Sequence, residues 1–101
     1  MAIFATVQED IIAEVLDGIL LEVRNEVMRA TIKHGSESMS MPGHDVGKRL
    51  GILMEEVGEV ARATTYDNGN EANKREELIQ TAAMAAAWVV ADEVEKLNTK
   101  A

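Results

Sequence analysis

The sequence predicts an all-α fold, three helices making a single domain over residues 1–101. Three observations carry that prediction. Aromatic residues are limited to Phe4, Tyr66 and Trp88, whereas Ala, Val, Ile, Leu and Met abound, the palette of packed helices rather than of strands. Apolar residues recur at helical spacing through three segments. Between those segments lie two clusters of Gly, Pro, Ser, Asn and Asp, the residues that break helices and form turns.

The first helix is expected to start at Thr6, because Thr6-Val7-Gln8-Glu9 has the form of a capping box. Ile12, Val15, Ile19, Val23, Val27 and Ala30 follow at helical spacing. Ile11, Leu16, Leu20 and Leu21 widen that stripe beyond what one partner helix covers, which predicts burial against another subunit. After Lys33 the chain from His34 to His44 reads as a loop, with Gly35, Ser36, Ser38, Ser40, Pro42 and Gly43 in it. Met39 and Met41 within that loop are placed to line a pocket or to close over one.

Asp45 is an acceptable N-cap for a second helix running to about Tyr66, with Val46, Leu50, Leu53, Val57, Val60 and Thr64 as its apolar stripe. Gly47, Gly51 and Gly58 are expected where helices approach closely. Asp67-Asn68-Gly69-Asn70 signals a turn. The third helix is expected from about Asn70 or Lys74 to near Leu97, leaving Lys100 and Ala101 frayed. From Thr81 to Ala91 it carries no charge, and a helix apolar all round is buried all round. Helices two and three are expected to form an antiparallel hairpin. Subunits are expected to associate, as a homodimer or homotetramer, into a four-helix-type bundle.

Composition removes several classes of function. Eighteen Asp and Glu against ten Lys and Arg give a formal charge of −8, a surface that repels nucleic acid polymers. With no cysteine, disulfides and thiolate zinc sites are out. No apolar run reaches the roughly 20 residues that span a bilayer, so no membrane role is expected. Nor does the N-terminus show a basic segment leading into an apolar core. The expectation is a soluble, cytoplasmic protein.

The chemistry-bearing residues are two short carboxylate clusters, Glu55-Glu56-Val57-Gly58-Glu59 and Glu76-Glu77-Leu78-Ile79-Gln80. Residues three or four apart share a helix face, so Glu56 with Glu59, and Glu77 with Gln80, each present paired oxygens. Glu56 and Glu59 fall on the flank of the second helix's stripe, on the side of Ile52 and Ala63. If the two helices fold back on each other, three carboxylates and an amide converge. Oxygen-only clusters suit a hard cation such as Mg²⁺, which in turn binds phosphates.

The run Glu55-Glu56-Val57-Gly58-Glu59-Val60-Ala61-Arg62-Ala63, a short loop, and Arg75-Glu76-Glu77-Leu78-Ile79-Gln80 resemble the MazG-like, all-α nucleoside triphosphate pyrophosphohydrolases. Their signature pairs Glu-Glu-x-x-Glu on one helix with Glu-x-x-Asp on the next. The resemblance covers more than half of the chain. It implies Mg²⁺-dependent hydrolysis of a nucleoside triphosphate to monophosphate and pyrophosphate, with Mn²⁺ as a substitute, in nucleotide-pool housecleaning. It implies Glu56, Glu59 and Glu77 as metal ligands, and Glu55 as the group that orients or deprotonates the attacking water. Gln80 stands where the signature has Asp; its amide oxygen still ligates a hard cation but brings no charge.

Among the cations, Lys74 and Arg75 beside the second cluster, and Lys33, are the candidates for contact with substrate phosphates. Lys48, Arg49 and Arg62 read as surface ion-pair partners. His34 and His44 flank the loop and are weaker candidates for the site, and Trp88 reads as core. The competing reading keeps the fold but makes the protein a non-catalytic nucleotide- or metal-binding module, or an acidic helical interaction module.

Overall fold

The structure, a computed structural model, describes the backbone over residues 2–65 and 71–100 and the side chains over 7–65 and 73–100. The protein is all-helical: α1 (Ala2–His34), a single 3-10 turn (Gly35–Glu37), α2 (Val46–Thr65) and α3 (Glu71–Lys100). No strand occurs among the described residues. Both α1 and α2 pack against α3, which is thus the central element.

The helix ends follow local chemistry with two corrections. α1 begins at Ala2, upstream of the Thr6 cap signal; with no Gly or Pro over residues 2–5, each further residue adds a helical hydrogen bond at little cost. α3 continues to Lys100, and the Thr99 hydroxyl donates to the Lys96 carbonyl at 2.9 Å in its last turn. Asp45 does cap α2, its Oδ1 accepting from the Lys48 N–H at 2.8 Å. The Asp67–Asn70 turn and Tyr66 lie outside the described residues.

Val23, Val27, Met39, Ala83 and Ala87 form the buried core, with Ile19, Ile52, Ile79, Met84 and Trp88 packed against it. Among the described side chains of α1, those buried against α3 therefore lie in its second half. Ile12 and Val15, expected in the same stripe, are more than half exposed. On α2 the inward face carries Arg49, Ile52, Glu56 and Ala63, whereas Val46, Leu50 and Val57 of the expected stripe are exposed. Leu53 and Val60 of that stripe stay half-buried, so α2 is turned from the expected orientation by less than the roughly 100° of one residue step. α3 is likewise covered on one side only: Ala83, Ala87 and Ala91 are buried, Val89 and Val90 exposed. The glycines expected at close approaches do not mark contacts within the chain. A Cβ at Gly51 or Gly58 meets nothing within 4 Å, and one at Gly47 meets only the Asp45 carboxylate at 3.2 Å.

The segment from 35 to 45 is a built strap rather than a loose loop. Arg49 is only 3% exposed, although its charge suggested a surface residue. Its guanidinium donates to the carbonyls of Met39, Met41 at 2.6 Å and His44 at 3.4 Å. The hydroxyls of Thr31, Ser40 and Ser38 are chained together, and Ser38 also donates to the Gly35 carbonyl at 2.8 Å. Gly35 and Gly43, at φ +56° and +99°, take the left-handed backbone that side chains with a Cβ avoid. Met39 is thereby driven into the core, while Met41 is only half-buried.

Candidate acidic site between the helices

The turn of α2 brings Glu56 to face α3 and α1. Beside it lies a cavity of about 310 Å³ walled by Glu26, Arg29 and Ala30 of α1, Glu37, Ser38 and Met39 of the strap, and Gln80 and Met84 of α3, with His34 at its edge. Helical spacing explains the composition of each wall. Glu26, Arg29 and Ala30 are an i, i+3, i+4 set, as are Gln80 and Met84 at i, i+4.

Glu56 is the focus of the electrostatics. Its Oε2 is shut off from solvent and has no hydrogen-bond partner. Burial pushes its carboxyl pKa up, and the charges of Glu77, Glu59, Glu55 and Glu26 push it further. Glu77, half-buried, is also raised, first by burial and then by Glu59 and Glu76. An unpartnered buried carboxylate oxygen is costly, so this arrangement favours a proton or a cation at Glu56.

The sequence-derived candidates are distributed as follows. Glu56 and Gln80 meet at the cavity; Glu59 is exposed and Glu77 half-buried beside it, both within electrostatic reach of the cluster. Glu55 is exposed on the outer side of α2. Among the described residues no three acidic or histidine side chains are drawn close enough together to enclose a metal ion as they stand. Like charges at this spacing repel one another, and a cation is what would draw them in. The donor set, carboxylates with one amide, is that of a hard divalent ion.

The cations are arranged differently from expectation. Both terminal nitrogens of Arg75 are engaged by Glu22, at 2.9 and 2.6 Å, and it opens on a second cavity of about 310 Å³ with Glu26, Glu76 and Gln80. Lys33 is exposed on α1 and Lys74 half-buried on α3. His44 is committed to the strap through Nε2 and the Ser36 carbonyl, 2.9 Å apart. Sequence reasoning missed Glu26 and Arg29. Their signal was there: Glu22, Glu26, Arg29 and Lys33 recur at helical spacing along one face of the second half of α1.

The chain matches no family model, no curated protein and no solved structure. No described helix is long and apolar enough to cross a membrane.

Proposed function

We propose that the protein is a Mg²⁺-dependent nucleoside triphosphate pyrophosphohydrolase, built in the manner of the MazG-like enzymes that its carboxylate clusters resemble. The observation that carries this reading is Glu56, whose buried, unpartnered oxygen sits among four other carboxylates beside a cavity. Glu56, Glu59 and Glu77 would hold the cation, with the Gln80 amide as a neutral donor. Mg²⁺, or Mn²⁺ in its place, supplies charge neutralisation at the phosphate oxygens and lowers the pKa of bound water. Glu55, exposed and one residue from Glu56, would accept the proton of the water that attacks the phosphoryl group. The hydrolysis then yields a monophosphate and pyrophosphate from an (d)NTP met in the cytoplasm.

The same reading takes α2 and α3 as an antiparallel hairpin whose uncovered apolar faces, with that of α1, pair with those of a second copy. A homodimer or homotetramer of four-helix-bundle type would result.

The test is pyrophosphate release from a panel of (d)NTPs with Mg²⁺ and with Mn²⁺, alongside Glu59→Ala. Release of monophosphate and pyrophosphate together, abolished in the variant, supports the enzyme. The Gln80 amide, which withholds a charge from the site, favours one alternative: a module that binds Mg²⁺-nucleotide without turnover. Silence across the panel with Mg²⁺ still raising the melting temperature would select that alternative. Silence with no Mg²⁺ effect would leave only the helical interaction module.

A further inference from the structure

A triphosphate enters a site whose described walls are dominated by carboxylates, so groups of the chain itself must offset its charge next to any metal. Arg29 is the cation placed to do so. Arg29 lines the same cavity as Glu56 and Gln80, and its side chain is 55% exposed. Nε and Nη2 grip the two oxygens of Glu26 at 2.9 and 2.5 Å. A guanidinium fork that fits two carboxylate oxygens fits two phosphate oxygens as well. Lys33 lies one turn further along the same face, about 5–6 Å away between Cβ atoms. Glu26 registers both cations. Its carboxyl is held low first by the Arg29 hydrogen bond, against the opposing effect of burial, and then by the charges of Arg29 and Lys33.

The geometry points to Arg29 as the phosphate-receiving edge of the cavity, with Lys33 one turn beyond it as a supporting charge, the Arg29 guanidinium passing from Glu26 to the phosphate chain of the incoming nucleotide. The assignment rests on the pyrophosphohydrolase reading for what enters the cavity. It places the anion-binding groups on α1, opposite the carboxylates of α2 and α3, rather than on Arg75. Arg75 grips Glu22 in the same forked way, but the cavity it lines is the neighbouring one, which Glu56 does not line. Glu26 then acts as the resting counter-ion of the guanidinium.

Calorimetric titration with inorganic tripolyphosphate tests this, because that probe carries the phosphate chain without base or sugar. In Mg²⁺, Arg29→Gln is expected to bind about tenfold more weakly than the parent and Lys33→Gln about threefold. Arg75→Gln is expected to match the parent. Without metal, Glu26→Gln should bind tripolyphosphate more tightly than the parent, since it frees the guanidinium and removes a repelling charge. A residue holding only the fold would give the opposite result. An i, i+3 pair with its cation at the surface contributes about 0–1 kcal/mol, so these variants keep the parent's helix content and melt within a few degrees of it, and circular dichroism checks that. Parent-like affinity in Arg29→Gln overturns the assignment, and with pyrophosphate release intact the enzyme reading survives. A parent that binds Mg²⁺ but no tripolyphosphate also overturns it. A parent that binds neither takes the enzyme reading down as well.

Discussion

At the scale of a residue, Glu56 sets a pH dependence of definite sign. Its folded pKa lies above the unfolded value of 4.5, through burial and then through Glu77, Glu59, Glu55 and Glu26. Between 4.5 and the raised folded value the native state binds more protons than the unfolded chain, so stability falls as pH rises through that window. Above the window the full cost persists. Glu22 and Glu26 act oppositely. The hydrogen bond from Arg75 lowers one and that from Arg29 the other, so their stabilisation is present above 4.5 and lost as pH falls through their folded values. Glu56→Gln cancels only the first effect. In EDTA at neutral pH it is expected to melt higher than the parent, and below pH 4.5 the two curves should converge. With Mg²⁺ the order reverses, because the parent gains stability by mass action, about 2.7 kcal/mol at 100-fold excess over Kd, and the variant does not. Melting temperatures from pH 4 to 8, with and without Mg²⁺, read both effects. A variant less stable than the parent in EDTA at neutral pH would mean that the Glu56 carboxylate is already satisfied.

At the scale of an element, α2 shows what the sequence made legible and what it hid. The helix, its Asp45 cap and the placing of Glu56 beside Ile52 and Ala63 follow from spacing alone. Its orientation does not. Hydropathy ranks Val46, Leu50 and Val57 as the face that avoids water, but it does not say which neighbour covers them. Against α3 the fold uses the adjacent face, where the small Ala63 lets the backbones approach and Arg49 finds carbonyls. Arg49 was hidden for a related reason. A charged side chain reads as surface unless its partners are known, and here they are three carbonyls of the strap, groups that every residue carries. The pair Glu26 and Arg29 needed the packing of α1 on α3 before it met Glu56. The strap therefore supplies the element-scale prediction. Arg49→Met leaves the Met39 and Met41 carbonyls without the guanidinium and should cost about 2–3 kcal/mol, read as a lower urea midpoint. Arg49→Lys, which cannot fork between two acceptors, should fall between Met and the parent. Parent-like midpoints for both would show that the hydroxyl chain of Thr31, Ser40 and Ser38 holds the strap without Arg49.

At the scale of the whole molecule, the isolated chain exposes too much surface for its mass. A compact monomer of 11.0 kDa presents about 5,600 Å² of accessible surface, against 7267 Å² in this protein. Its radius of gyration is 16.5 Å, where a compact chain of this length has about 13 Å. The excess of roughly 1,600 Å² is twice the area of about 800 Å² that one partner contributes to a standard interface. Its character matches that use. Ile12, Val15, Leu20 and Leu21 are each more than half exposed, and an apolar groove of about 520 Å³ runs between α1, α3 and the strap past Leu20, Met28, Met41 and Val90. Exposed apolar area on this scale is characteristic of partner surfaces, which supports the proposed assembly, in which a second copy would offer the same faces in return. Sedimentation at micromolar concentration is accordingly expected to give a dimer or tetramer, with a melting temperature that rises with protein concentration. Leu16→Glu with Leu20→Glu, both on the uncovered side of α1 and away from the acidic cavity, should shift the protein to monomer and lower that temperature. A parent that sediments as a monomer at every concentration, with a melting temperature unchanged by the double substitution, would leave the apolar face of α1 without a partner and remove the case for assembly.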